Sequence, residues 1–74
     1  MTEFSVTGTK VVVVGAARSG IAAAELLVSR GAQVTLSESR ETIEEEERLR
    51  VNGISLELGG HQPDTLANAE LIVL

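Results

Sequence analysis

The sequence predicts an α/β domain built on an open, parallel β-sheet. Apolar runs of strand length alternate with helix-prone stretches, which is the pattern of βαβ units joined by right-handed crossovers. The first apolar run, Val11–Val14, is entirely β-branched and has no polar alternation, so it suits a central strand covered on both faces. The chain of 74 residues has room for one small domain.

Four strands and three connecting helices follow from this pattern. We expect strands at 10–15, 33–37, 54–58 and 70–74, the last of them buried, and helices at 19–30, 41–51 and 64–67. Phe4 and Val6 are expected to pack at the sheet edge. Such a half-fold is Rossmann-like and has the natural strand order 3-2-1-4. Because the final apolar run ends without the loop that follows strands in these sheets, we expect one domain of a longer, multidomain protein.

Local signals mark the ends of these elements. Ser19 is the expected cap of the first helix, and Asp64 is the expected cap of the third. Gly31 should end the first helix, and Asn52-Gly53 the second. The five glutamates within 41–50 suit a solvent-facing side of a helix, and without a nearby histidine they make a poor transition-metal site.

The composition disfavours several classes of function. Six basic against eleven acidic side chains give a net charge of −5, and only one residue is aromatic, so neither phosphate neutralisation nor base stacking favours binding to nucleic acid. The absence of cysteine excludes disulfides, thiol catalysis and cysteine-bound metals in this chain. No apolar run approaches the ~20 residues of a membrane-spanning helix, and residues 1–9 lack a signal-peptide pattern. We therefore expect a cytoplasmic protein.

A glycine-bounded loop, GAARSG, joins the first strand to the first helix. Gly15 and Gly20 hold the first and last positions of the G-x-G-x-x-G pattern, but Ala17 replaces the middle glycine that lets a pyrophosphate approach the backbone. Since a helix start presents unpaired N–H groups, the loop indicates a phosphate or nucleotide site, with the Ser19 hydroxyl as a candidate donor. The alternative is a tight turn without a ligand. No G-x-x-x-x-G-K-[ST] segment occurs, so no ATP-hydrolysing site is expected in this chain.

Charged residues follow the first two strands. Glu38 ends the second strand, where a carboxylate can accept hydrogen bonds from a ribose or a base, and Arg40 follows it. Arg18 comes after the first strand, so Arg18 and Arg40 share the carboxyl edge of the predicted sheet. This pairing predicts a polyanionic ligand with a hydrogen-bonding head group. The alternative is a surface ion pair between Arg18 and Glu38.

His61 is the only histidine and follows Gly59-Gly60 in a loop. No nucleophile or second base accompanies it in the sequence, so a turn or capping role is favoured over catalysis. Gly59 or Gly60 is expected to let the backbone approach a ligand at the end of the third strand. We expect no catalytic residue and no metal site in this chain.

These residues resemble a known family. The segments KVVVVGAARSGIAAAELLVSRGAQVTLSESR and LELGGHQPDTLANAELIVL resemble the amino-terminal domain of the Mur ligases, in the branch that adds D-glutamate, and the likeness covers nearly the whole chain. The resemblance implies a Rossmann-like domain that binds UDP rather than NAD, with the diphosphate on the glycine loop and the uridine beside the residues after the second strand. The implied UDP-binding residues are Gly15, Ala16, Ala17, Arg18, Ser19, Gly20, Glu38, Ser39, Arg40 and Gly60.

For the whole enzyme, the resemblance implies an ATP-dependent amide ligation in peptidoglycan biosynthesis, with roles in cell wall biogenesis, cell division and cell shape. The implied substrates are UDP-N-acetylmuramoyl-L-alanine and D-glutamate. The substrate carboxylate becomes an acyl phosphate, which the amine of D-glutamate attacks. ATP and Mg2+ would bind outside this chain, so the chain alone is expected to be inactive and to bind no cofactor. We expect a bacterial, cytoplasmic monomer.

Two other functions stay open from the residues alone. A nicotinamide or flavin oxidoreductase domain fits the fold, with Arg40 facing the 2′-phosphate of NADP, although Ala17 disfavours it. A regulatory or interaction domain with an empty nucleotide fold is the other, because fold alone does not determine function.

Overall fold

The computed structural model describes residues 5–74, in which four parallel strands alternate with three helices. The strands are β1 (Lys10–Val14), β2 (Gln33–Glu38), β3 (Ser55–Leu58) and β4 (Leu71–Val73), and the helices are α1 (Arg18–Ser29), α2 (Glu46–Val51) and α3 (Pro63–Ala67). Their order across the sheet is β3-β2-β1-β4, and every neighbouring pair is parallel. The predicted fold class and strand order are therefore confirmed.

The core lies on one face of the sheet, beneath α1 and α2. Helix α1 packs against β1 and β2, and α2 packs against β3. The cluster joins strand and helix side chains that are at most 1% exposed: Val11, Val13, Leu36, Ala24 and Leu49. Val6 belongs to the same cluster, whereas Phe4 lies outside the described residues.

The opposite face of the sheet is more polar. Val12 is buried but lies outside the main cluster, because successive residues of a strand point to opposite faces. Strand β1 is thus covered on both faces, as its sequence predicts. Val12 is in register with Thr35 of β2, which is in register with Ser55 of β3. Val14 is likewise in register with Ser37, which is in register with Glu57. Helix α3 covers part of this face through Thr65, which bonds to Glu57.

Glycine ends α1 where the sequence predicts it. Gly31 has φ +88°, and its N–H donates to Val28 O at 3.0 Å while the N–H of Ala32 donates to Leu27 O at 3.1 Å. This paired arrangement satisfies the last carbonyls of the helix and turns the chain toward β2. Asn52-Gly53 ends α2 in the same way.

The predicted second helix, 41–51, is wrong over its first half, since α2 begins only at Glu46. Residues 41–45 are not helical, because Arg40 and Ile43 make contacts that hold this part of the chain in another conformation. The Arg40 N–H donates to the Glu38 carboxylate, and the Arg40 carbonyl accepts the Gly59 N–H. Ile43 is buried in the core and anchors the chain before the helix starts.

Both predicted helix caps are also wrong. Ala17 is the N-cap of α1, in an extended conformation and without a side-chain cap bond, so Ser19 already lies inside the first turn. Gln62 is the N-cap of α3, because Pro63 suits the first helical position, and Asp64 falls within the first turn.

The predicted burial of the last strand is wrong as well. Within residues 5–74, strand β4 pairs only with β1 and lies at an edge of the sheet. Leu71 is 38% exposed and Ile72 is 44% exposed. An apolar run is typical of a doubly covered strand, but here the described residues supply a neighbour on one side only.

Candidate functional site

Loops that follow β1, β2 and β3 meet at the carboxyl edge of the sheet. The strand order reverses between β1 and β4, and open α/β sheets bind ligands at such a switch point. A crevice of about 340 Å³ lies there, lined by both ends of the glycine loop and the end of β4. A larger groove of about 480 Å³ lies on the α3 face, away from the carboxyl ends, and is lined by Lys10, Gln33, Thr35 and Ser55 among others.

The loop needs glycine at positions 15 and 20 for two different structural reasons. Gly15 has φ +98°, a conformation that side chains disfavour, and it makes the turn out of β1. Gly20 is required by close packing, since a Cβ there would lie 2.2 Å from the carbonyl oxygen of Gly15. The loop therefore folds back on the first turn of α1.

Not every N–H group of this loop is free for a ligand. The Gly15 N–H donates to Ser37 O at 2.8 Å, and the Ala16 N–H donates to the Glu38 Oε1 at 2.8 Å. The N–H groups of residues 17–20 have no acceptor among residues 5–74, because they precede the first helical hydrogen bond, from Ile21 to Ala17 O. The candidate anion site is thus limited to residues 17–20.

The first turn of α1 carries a basic side chain and no acidic one. Helix α1 has no acidic residue in its first turn, and Arg18 occupies its first position. Within residues 5–74, Arg18 forms no ion pair with a carboxylate. Ser19 is exposed and its hydroxyl does not cap the helix, so it can donate to a ligand. A free helix start with an unpaired arginine favours an anion.

Glu38 points into the protein rather than into the crevice. The residue is 7% exposed, and its carboxylate accepts hydrogen bonds from the Ala16 N–H, the Arg40 N–H and the Arg40 Nε at 2.8 to 2.9 Å. The hydrogen bond from the Arg40 side chain and those from the two backbone groups lower the pKa of Glu38 to about 2. The alternative of an ion pair between Arg18 and Glu38 is wrong, since Glu38 pairs with Arg40.

Arg40 is the exposed partner of this pair. Its side chain is 60% exposed, yet Nε contacts Glu38 and Nη2 donates to Ala16 O at 3.2 Å. The far edge of the guanidinium and the neighbouring Ser39 remain at the surface, beside the glycine loop. Ser39 and Arg40 are therefore the exposed members of the predicted head-group site.

The loop after β3 supports the tripeptide 38–40 from behind. The Gly59 N–H donates to Arg40 O at 2.8 Å, and the Gly60 N–H donates to Glu38 O at 3.2 Å. Since the Gly60 N–H already donates to Glu38 O, Gly60 stabilises the tripeptide in this structure. Whether a ligand touches Gly60 itself stays a prediction.

The sequence gives little sign of a polar network behind this edge. Ser37 is fully buried, and its Oγ lies 3.0 Å from Glu57 Oε1 and 2.5 Å from His61 Nδ1. A carboxylate can only accept, so Ser37 donates to Glu57 and the His61 Nδ1–H donates to Ser37. In the sequence Ser37 is one of the alternating polar residues of β2, and its partners become visible once the register pairs Ser37 with Glu57.

Glu57 gathers further donors from the loop and from α3. Its carboxylate accepts the Gln62 N–H at 2.8 Å and the Thr65 hydroxyl. Burial raises the pKa of Glu57, but the hydrogen bonds from Thr65, Gln62 and Ser37 outweigh burial, so the pKa lies below its ordinary value. The network locks the β3–α3 loop and orients the His61 ring, which fits the predicted turn role of this histidine.

The two arginines of α2 form surface ion pairs, one with a glutamate of α2 and one with a glutamate of α1. Arg50 contacts Glu46 at 3.2 Å, and Arg48 contacts Glu25 at 3.4 Å. Among the described residues, no group of three or more histidine, cysteine, aspartate or glutamate side chains could hold a metal ion. The same part of the chain has no helix that is long and apolar enough to cross a membrane.

The strand order, the crevice at the switch point and the free N–H groups define an open, parallel α/β domain with a candidate anion site at the start of α1. Comparison with known families makes this more specific. The family described as "Mur ligase MurD-like, N-terminal domain" matches residues 9–74, and the chain belongs to this family.

Individual relatives agree with the family. The chain is 51% identical over 73 residues to the UDP-N-acetylmuramoylalanine–D-glutamate ligase of Desulfovibrio desulfuricans, with 89% of the chain covered. It is 40% identical over 72 residues to the ligase of that name from Geotalea daltonii, and 42% identical over 76 aligned positions to the one from Syntrophotalea carbinolica. In each case the chain spans 16% of the length of the relative.

Proposed function

We propose that the chain is the UDP-binding, amino-terminal domain of a ligase that joins D-glutamate to UDP-N-acetylmuramoyl-L-alanine in peptidoglycan biosynthesis. Family membership and the names of the relatives support the ligase. The single observation that carries UDP binding is the set of unpaired N–H groups at residues 17–20, of which Ala17, Ser19 and Gly20 also line the switch-point crevice.

The proposed binding mode divides UDP between two loops. The diphosphate lies at the amino terminus of α1, where N–H groups and the Ser19 hydroxyl donate to its oxygens. The uridine lies toward Ser39 and the outer edge of Arg40. The acidic chain, with net charge −5, needs such a local cluster of donors to attract an anion.

In this proposal the chemistry belongs to the rest of the enzyme. ATP and Mg2+ bind outside this chain and supply the acyl phosphate, which the amine of D-glutamate attacks. The described residues bind the nucleotide part of the substrate, and this binding keeps the reacting carboxylate in place for that reaction. The chain alone is therefore inactive, and the complete protein is a cytoplasmic monomer with roles in cell wall biogenesis, cell division and cell shape.

Titration of the isotope-labelled chain with UDP tests this function. Amide shifts should concentrate at residues 17–20 and 39–40, and Arg18→Gln should weaken UDP binding about fivefold, the loss of ~1 kcal/mol expected for one partly exposed charge contact. Arg30→Gln is the matched control, because Arg30 is the exposed C-cap of the same helix, far from the loop. Equal effects of the two substitutions would contradict the proposed phosphate site.

NADP is the informative competitor in the same titration. The oxidoreductase alternative requires NADP to bind more tightly than UDP. The Mur ligase assignment requires UDP to bind more tightly than NADP.

A further inference from the structure

A chain of hydrogen bonds behind the carboxyl edge of the sheet joins Ser37, Glu57 and His61. Ser37 of β2 is fully buried, and its Oγ lies 3.0 Å from Glu57 Oε1 and 2.5 Å from His61 Nδ1. A carboxylate only accepts hydrogen bonds, so the Ser37 hydroxyl donates to Glu57 and accepts the His61 Nδ1–H. The buried serine therefore connects a side chain of β3 with a side chain of the loop that follows β3.

Glu57 attaches the same loop a second time. Its carboxylate accepts the Gln62 N–H at 2.8 Å and the hydroxyl of Thr65 in α3. Burial of apolar side chains does not hold α3 in place, because this short helix has no buried residue. The bonds of Glu57, together with those of Ser37, are called the Ser37 network below.

Gly59 and Gly60 lie between β3 and the two anchored residues, His61 and Gln62. Their φ angles are +82° and +141°, and glycine adopts such conformations without the restraint that a Cβ imposes. The local preferences of the two glycines therefore leave the backbone of the loop free to move. The bonds made by His61 and Gln62 supply the restraint that the glycines lack.

The N–H groups of the two glycines contact the tripeptide 38–40. The Gly59 N–H donates to Arg40 O at 2.8 Å, and the Gly60 N–H donates to Glu38 O at 3.2 Å. Glu38 and Leu58 are the last paired residues of β2 and β3, so Arg40 lies beyond the ladder of the sheet. The loop 59–62 is thus bonded to the Ser37 network on one side and to the backbone of the tripeptide on the other.

We infer that the Ser37 network positions the nucleoside end of the proposed site: by anchoring His61 and Gln62, it holds the Gly59 and Gly60 N–H groups against the carbonyls of the tripeptide 38–40. The backbone that presents the tripeptide side chains to uridine is thereby fixed. His61 is a positioning residue, which acts through the two glycines. The inference rests on the proposed function, since that function assigns the uridine to this tripeptide.

Two substitutions of His61 separate its hydrogen bond from the bulk of its side chain. His61→Leu removes the Nδ1–H donor. His61→Asn keeps an N–H donor on the side chain, at the same number of bonds from the backbone. His61 is exposed, so neither substitution removes part of the core.

Uridine and inorganic pyrophosphate divide UDP into its two parts and serve as separate probes. Positioning predicts that His61→Leu weakens uridine and UDP about fivefold, the effect of one lost hydrogen bond, and that His61→Asn stays within about twofold of wild type. Pyrophosphate binding should be unchanged, because the network makes no bond to residues 17–20. Unchanged uridine binding in His61→Leu, or equal losses of uridine and pyrophosphate, would overturn the inference. Equal uridine losses in His61→Leu and His61→Asn would also overturn it.

Hydrogen exchange of the Gly59 and Gly60 amides gives a readout without a ligand. Both amides should exchange at least about fivefold faster in His61→Leu and near the wild-type rate in His61→Asn, while the core amide of Leu36 keeps its protection. Wild-type rates at both glycines in His61→Leu would overturn the inference. A wild-type chain that bound neither UDP nor uridine would refute the proposed function, and the exchange rates would still decide whether the network holds the loop.

Ser37→Ala cuts the network at its buried end and is the second variant should His61→Leu not fold. It should likewise accelerate exchange at Gly59 and Gly60 and weaken uridine binding, with pyrophosphate binding unchanged. Asn68→Leu is the matched control, because the exposed Asn68 side chain donates to Asp64 O at 2.9 Å and takes no part in the Ser37 network. It should match the wild type in all three measurements. Effects in Asn68→Leu as large as those in Ser37→Ala would contradict the inference.

Discussion

Replacing Glu38 by glutamine should make the free energy of unfolding less dependent on pH in the acid range. Hydrogen bonds from the Arg40 side chain and from the backbone of Ala16 and Arg40 lower the pKa of Glu38 from 4.5 to about 2. The unfolded chain therefore takes up this proton at a higher pH than the folded chain. The stabilisation is complete above pH 4.5 and is lost as the pH falls toward 2. At about 1.4 kcal/mol per pKa unit, it is on the order of 3 kcal/mol.

Urea unfolding followed by circular dichroism measures this effect at a series of pH values between about 2.5 and 7. Glu57 also has a lowered pKa and contributes in the same direction, so the difference between wild type and Glu38→Gln isolates Glu38. The difference in unfolding free energy should be greatest near neutral pH and shrink as the pH falls below 4.5. Glu46→Gln should follow the wild type. Parallel curves for wild type and Glu38→Gln would refute the reasoning.

Other substitutions test the loop, the network and the core. Gly20→Ala should destabilise the domain by about 2 kcal/mol or more in urea unfolding and abolish UDP binding, because its Cβ would lie 2.2 Å from Gly15 O. Ser37→Ala should cost about 1 kcal/mol and release the Nδ1–H tautomer of His61, which ring nitrogen shifts detect; an unchanged tautomer would contradict the assigned hydrogen bond. Leu49→Ala should lower the unfolding free energy by about 2 to 5 kcal/mol, since Leu49 is fully buried, whereas Val51→Ala, at a 79% exposed position of the same helix, should change little.

The sequence was sufficient for the parts of the fold that local chemistry determines. The valine run specified a doubly covered strand, Gly31 specified the end of α1, and the alternation of strands and helices specified the sheet order. The sequence also predicted the position of the candidate loop. A β-branched strand that is followed by Gly15 and then by a helix leaves unpaired N–H groups at the carboxyl edge of the sheet.

Contacts between distant segments could not be predicted in the same way. The start of α2 depends on the bond between the Arg40 carbonyl and the Gly59 N–H, and this contact arises only when β2 and β3 pair. The direction of Glu38 likewise depends on the register that aligns Val14 with Ser37, which brings the side chain of the next residue beside Ala16. Sequence position marked Glu38 as functional, but only the structure shows which way it points.

A crystal structure of the chain with UDP tests the central claim most directly. The account predicts diphosphate oxygens within about 3 Å of the N–H groups of residues 17–20 and the uracil beside Ser39 and Arg40. A diphosphate seated in the groove on the α3 face, with the N–H groups of residues 17–20 left free, would contradict it.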